Sequence, residues 1–268
     1  MATVDASERP CTTITFLGIS SCIPDAGHDT ACFLINGRHI VDTGWMGVLR
    51  MREYGFDPLN LETVIFTHMH HDHYIGLPHI LFYLGLKQNA QPRTEPLKII
   101  GPSEDINRVV ELARNLLQVH YYPELHVECE IIGLSADEHY VTDEFELTTF
   151  AAKHTSGKGK PIQALVYKFT DMHSGVQFAF TGDTHYHPPI ANFVRGVPLL
   201  IHDAAHTSPT DAAEIARRAC VGKLALIHLN KEKATEALAT AKDIFPNTFL
   251  PYEGETLTLF QTTMPTNG

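Results

Sequence analysis

The stretch Thr67-His68-Met69-His70-His71-Asp72-His73 follows the apolar run Val64-Ile65-Phe66, and its reading decides the rest of the chain. A strand here delivers a histidine-rich loop with the pattern His-x-His-x-Asp-His. In an extended loop, residues two apart point the same way, so His68 and His70 converge on one metal ion. Asp72 and His73 face a second position, and imidazole with carboxylate suits Zn, Mn or Fe. A lone histidine is more often a surface residue or a hydrogen-bonded core residue. Four competent side chains within six positions, straight after a strand, make a metal motif.

One loop rarely completes a binuclear site. Three further polar residues stand just after apolar strands: His154 behind Phe150–Lys153, Asp183 in Phe180-Thr181-Gly182-Asp183, and His228 behind Leu224–Ile227. Each alone reads as a capping Asp or a backbone-bonded histidine, but together they supply what the loop lacks.

Around these residues the pattern alternates strands and helices. Thr12–Leu17 and Ala31–Ile35 read as strands. Asn36-Gly37 is a hairpin signal, since both turn positions need positive φ. Val48–Tyr54 is a short helix, and Ile75, Leu77, Ile80, Leu81 and Leu84 recur at helical spacing. Glu104–Gln118 reads as a helix with Ser103 as N-cap, and Pro209–Ala219 as one capped by Ser208. Glu232–Ala241 is a further helix. Strands are expected near Leu97–Ile100, His126–Ile132, Phe145–Ala151, Ile162–Phe169, Val176–Phe180, Leu199–Ile201, Leu224–Ile227 and Leu257–Leu259. Both halves pass from strand-rich to strand–helix alternation, so the expected fold class is α/β (α+β): two mixed sheets stacked inside helices. One domain over 1–268 is expected, with 1–11 a loose N-terminal segment.

Composition bounds the function. The 268 residues are 44% hydrophobic, with 20 Lys plus Arg against 31 Asp plus Glu, a formal net charge of −11. That sign argues against a broad nucleic-acid-binding face. No apolar run reaches the roughly 20 residues that span a bilayer, and the first ten residues carry no export signal, so the expected location is the cytoplasm with no membrane partner. Five scattered cysteines without a C-x-x-C pair do not form a disulfide framework.

The chain resembles the metallo-β-lactamase-fold hydrolases, and within them the tRNase Z, arylsulfatase and phosphodiesterase branch. Beside the histidine motif, the resemblance rests on Gly76-Leu77-Pro78, Pro96–Pro102, Ala212–Ala216 and Leu226-Ile227-His228. It implies an αββα sandwich with two divalent metal ions, Zn first and Mn or Fe in competition. His68, His70 and His154 would hold one ion, Asp72, His73 and His228 the other, and Asp183 would bridge them. Asp42, in Asp42-Thr43-Gly44, fits the family's supporting carboxylate. Relatives carry His-Glu-Ala-Thr and His-Ser-Thr stretches; both are compressed here into His202–Ser208. Asp203 then stands for the glutamate and His206 for the histidine that assists the leaving group, with a helix-capping pair as the alternative. Asp72, His206 and Asp203 are therefore the expected catalytic residues, acting with a metal-bridging hydroxide. Trp45, Lys158 and Lys160 are candidate substrate contacts, while His185 and His187 read as solvent-facing.

Tying substrate to charge favours a phosphodiesterase on a small anionic diester such as a cyclic nucleotide, with extended nucleic-acid binding disfavoured. An arylsulfatase-like or lactonase-like hydrolase is the first alternative. The second is a tRNA 3′-processing endonuclease, demoted because no long basic arm fits between His154 and Asp183. The third is a non-enzymatic metal-binding scaffold. A homodimer is a further expectation from the relatives.

Overall fold

The computed structural model describes residues 10–88 and 90–261. Cys11–Gly18 (β1), buried throughout from Ile14 on, and the short buried runs Cys32–Ile35 (β2), His39–Val41 (β3) and Thr63–Ile65 (β4) build the first half of a sheet. Leu97–Pro102 (β5) and Cys129–Leu134 (β6) extend it, and Thr256–Phe260 (β14) closes its far edge, giving the order β14-β1-β2-β3-β4-β5-β6. Asn36 and Gly37 turn the chain between β2 and β3 with φ of 50° and 69°, as their residue types require.

His139–Val141 (β7), Phe145–Ala151 (β8), Leu165–Asp171 (β9), Gln177–Phe180 (β10), Leu199–Asp203 (β11), Lys223–Ile227 (β12) and Thr248–Phe249 (β13) form the second sheet, in the order β13-β12-β11-β10-β9-β8-β7. The inner faces meet in a core that joins Phe16, Phe33 and Ile65 to Phe145, Phe169, Phe178 and Ile201. Buried aromatics and β-branched side chains fit this pleated interface, and removing their apolar area from water is the main drive for stacking the sheets. Tyr167 crosses the core, its hydroxyl donating to the Phe66 carbonyl 3.1 Å away.

Helices cover the outer faces: Gly47–Glu53 (α1), the single turn His71–Tyr74 (α2), Leu77–Lys87 (α3) and Ile106–Leu116 (α4) in the first half, then Ile190–Phe193 (α5), Pro209–Ala219 (α6) and Lys231–Lys242 (α7). The expected two-sheet α/β sandwich is therefore observed. Ser208 caps α6 by accepting from the Asp211 N–H at 3.1 Å. Asp105, and not Ser103, stands at the N-cap of α4. Of the expected loose segment 1–11, residues 1–9 lie outside the described residues, while Cys11 is already paired with Phe260 in the sheet. Among the described residues no helix is long and apolar enough to cross a membrane.

Strands β3 to β6 run parallel, as do β10 to β13. Their C-terminal ends, with that of β8, open on one edge of the sandwich, where the polar residues of interest emerge.

Candidate metal centre

The histidine loop departs from a simple extended reading. His68 is held in an antiparallel bridge to Ala164, and His70 is extended at φ −86°, ψ 150°. The chain then coils into α2, so Asp72 and His73 lie on a helical turn and not on the extended loop. A four-residue helix carries too little periodicity to be seen in the sequence.

Six strand ends meet here. His68, His70, His154 and Asp183 bring one donor atom each to within 4.8 Å of one another, and so do Asp72, His73, Asp183 and His228. Asp183 belongs to both groups. A third group joins Asp183 to Asp203, His206 and His228. Gly182, at φ 55°, permits the close approach: a Cβ there would lie 2.6 Å from that of Thr67. Asp42 and His228 are themselves left-handed, at φ 51° and 63°, a strain that the surrounding packing must hold.

Hydrogen bonds aim the rings. His73 Nδ1 lies 2.8 Å from the Asp42 carboxylate, which turns Nε2 inward to within 3.2 Å of Asp72 and 3.4 Å of Asp183. The Thr67 hydroxyl donates to Asp42 at 2.9 Å and accepts from His68 Nδ1 at 3.1 Å, turning His68 Nε2 inward too. His228 Nδ1 is 3.2 Å from Asp203, leaving Nε2 facing Asp72 at 3.4 Å. Thr67 in this role is missed by sequence reasoning; its only signal is a hydroxyl one residue ahead of the motif.

The inward Nε2 atoms of His68 and His73 are buried without a hydrogen-bond partner. Such atoms are costly unless something fills their valence. His70 Nδ1 and His154 Nε2 also stand only 3.0 Å apart, two imidazole nitrogens converging on one point. Burial depresses His68 and His70, and lowers His154 to about 4, so these rings are neutral and free to donate lone pairs. Burial would raise the carboxyls, yet His228 and His73 hold Asp72 and Asp183 well below the usual range. The same carboxylates, led by Asp183, overcome burial to raise His228 to about 10. The three neutral imidazoles beside ionised carboxylates are a donor set that a divalent cation takes. His73 and His228, whose pKa values the carboxylates raise, would release a proton as a second cation binds.

Asp203 accepts from the backbone N–H groups of Ala205, His206 and Thr207 and contacts His228, so it is more than a helix cap. Burial opposes its ionisation, but contacts with His206 and His228 lower it to about 2. His206 Nδ1 lies 3.4 Å from Asp203 and 3.5 Å from Asp183, and its ring is 30% exposed. The Asp203 carboxylate raises its pKa. His185, expected in solvent, is half-buried, with its ring 5.9 Å from His154 and 5.8 Å from His206. Trp45 is 41% exposed and not a core residue. Lys158 and Lys160 are exposed on the tight turn that Thr155 and Pro161 close.

Residues 38–250 match the family model for the β-lactamase superfamily domain. The chain belongs to that superfamily. Ribonuclease Z of Metallosphaera sedula is 26% identical over 79% of this chain and 86% of its own length. Among solved structures, the metallo-β-lactamase fold protein YhfI from Bacillus subtilis superposes with a TM-score of 0.79 at 21% identity, covering 93% of this chain and all of that one. Human tRNase Z, short form, gives 0.71 at 16% identity over 92% and 99% of the two chains. The protein is thus a metallo-β-lactamase-fold member of a metal-dependent hydrolase superfamily. The ribonuclease Z relatives overturn one expectation, that of a small-molecule partner with nucleic-acid binding disfavoured. That inference used whole-chain charge, whereas nucleic acid senses local charge. Residues 153–168 carry Lys153, Lys158, Lys160 and Lys168 and no acidic residue.

Proposed function

We propose that this protein is a metal-dependent endonuclease of the ribonuclease Z type, hydrolysing a phosphodiester bond at the 3′ flank of a structured RNA such as a tRNA precursor. One observation carries the reading: a doubled donor set hinged on Asp183, in a chain whose curated relatives cleave RNA by name. His68, His70 and His154 would hold one ion, Asp72, His73 and His228 the second, and Asp183 both. When bound, such a pair supplies charge neutralisation at phosphoryl oxygens and lowers the pKa of water. Zinc is the first candidate.

The chain's own residues do the rest. Asp42 and Thr67 fix the tautomers of His73 and His68, so that Nε2 faces inward before any ligand arrives. Asp203 pins the loop Ala205–Thr207 through backbone N–H groups and thereby sets where His206 stands. His206, partly open to solvent and with its pKa raised by Asp203, stands at the mouth of the centre, where it can supply the proton that the departing ribose oxygen needs.

The test is cleavage of an end-labelled tRNA precursor transcript by the zinc- or manganese-loaded full chain, with His68→Ala as control. The expected result is a discrete cut near the 3′ end of the mature domain, absent in the variant. An intact transcript, under conditions where the same preparation hydrolyses a chromogenic diester, would remove RNA as the substrate.

A further inference from the structure

Beside the metal centre a ladder of rings runs across the outer face of the second sheet. The rings of His187 and Phe150 stack at 5.8 Å and 23°, and Phe150 stacks on Phe193, the last residue of α5, at 5.2 Å and 20°. Lys168 Nζ lies over Phe193, 5.2 Å from the ring centre. Phe150 pairs with Val166 and Thr148 with Lys168 across β8 and β9, so Phe150 and Lys168 share one face. At the other end His185 donates its backbone N–H to the carbonyl of Lys153, the residue that precedes His154. All three ladder rings and Lys168 are half-buried, and Lys153 is exposed.

Core packing accounts for the contact of Phe150 with Phe193, since both rest on the helix-covered apolar cluster. It does not account for a histidine at one end of the ladder and a lysine at the other. Nor does it account for charge. Residues 153–168 carry four lysines and no acidic residue, in a protein of net charge −11. Ammonium groups flanking stacked rings are what single-stranded nucleic acid binds, phosphates on the lysines and bases on the π-faces.

We propose that Lys153, His187, Phe150, Phe193 and Lys168 form a track for the single-stranded RNA that flanks the bond cut at the metal centre. The track rests on the RNA-cleaving reading above and names how that substrate is held. A base stacks on the His187 end of the ladder, and Lys153 and Lys168 hold the phosphates on either side.

The experiment is fluorescence anisotropy of a labelled, cleavage-resistant phosphorothioate oligoadenylate with the metal-loaded full chain. Wild type, His187→Ala and the Lys153→Gln/Lys168→Gln pair are compared across a salt series, each first checked for an unchanged melting temperature. Loss of the stacking partner is expected to weaken binding roughly tenfold. Loss of the lysines is expected to flatten the salt dependence by about 0.7 for each phosphate no longer neutralised. If His187→Ala does not fold, the lysine pair, or the exposed Lys153→Gln by itself, decides alone. No binding by wild type, or equal binding by all three, overturns the track. Binding that the variants weaken, with no RNA cleaved, keeps the track and removes the nuclease reading. RNA cleavage with variant-insensitive binding does the reverse.

Discussion

The same strands carry metal-like clusters at both of their ends. At the end that follows β3, β4 and β8 stand Asp42, His68 and His154; at the start of the same strands stand His39, Glu62 and Glu144. At both ends histidine and carboxylate donors come within 4.8 Å of one another: His68, His70, His154 and Asp183 at the following end, and His39, Glu62 and Glu144 at the start. At the starting end the acids are already met: Arg38 reaches Glu62 at 2.9 Å and Glu144 at 2.6 Å, and His39 Nε2 takes the other Glu144 oxygen at 2.7 Å. Glu62 is also half-exposed, where water competes. One buried nitrogen, His39 Nδ1, is unpartnered there, on the side of the ring away from Glu144. At the following end two buried nitrogens, Nε2 of His68 and of His73, are unpartnered and both turn into the donor cluster, and Asp42, Asp72, Asp183 and Asp203 are all buried. A cavity of ≈ 690 Å³ lies at the starting end, lined by Arg38, Glu62, Arg93 and Lys98, and it includes no member of the metal cluster. Proximity of donors and size of cavity therefore do not mark the reactive end. Several buried, unpartnered nitrogens turned onto shared carboxylates do.

That contrast can be broken in four ways, from the largest effect down. Asp183→Ala removes the residue shared by both donor groups, and both metal content, by elemental analysis, and RNA cleavage should be lost. His206→Ala should leave metal content intact while lowering kcat roughly a hundredfold, the low end for a lost general acid. A chromogenic diester, whose leaving group needs no proton, should lose far less. Asp42→Ala frees the His73 ring, and metal affinity or turnover should fall about 10- to 100-fold. Glu144→Gln, at the other end of the strands, should leave metal content unchanged and lower stability by about 1.5–3 kcal/mol in denaturant unfolding, the scale of a charged hydrogen bond. Glu144 is held below its ordinary pKa first by the hydrogen bond from His39. Its contribution is thus complete above the unfolded pKa and fades as pH falls through the lower folded one. Acid unfolding of Glu144→Gln should accordingly be less steep than that of wild type.

Much of this was legible in the residues. His68 to His73 after an apolar run, Asp183 behind a glycine and His228 behind Leu224–Ile227 pointed to one edge because parallel strands end together. Asn36-Gly37 and Ser208 did so locally, since their side chains dictate the turn and the cap. The one-turn helices α2 and α5 and the short strands β7 and β13 were not legible, because two to four residues carry no period. Thr67 was missed because its role exists only once Asp42, 25 positions away, reaches its hydroxyl. The partner was misread for a different reason: the chain's negative sum concealed a lysine-bearing, acid-free segment beside His154.

The most direct test of the central claim is an anomalous difference map at the zinc edge from crystals of the zinc-loaded full chain. Two peaks flanking Asp183, one among His68, His70 and His154 and one among Asp72, His73 and His228, are predicted, with none beside His39. A peak between His39 and Glu144, or none at Asp183, would contradict it.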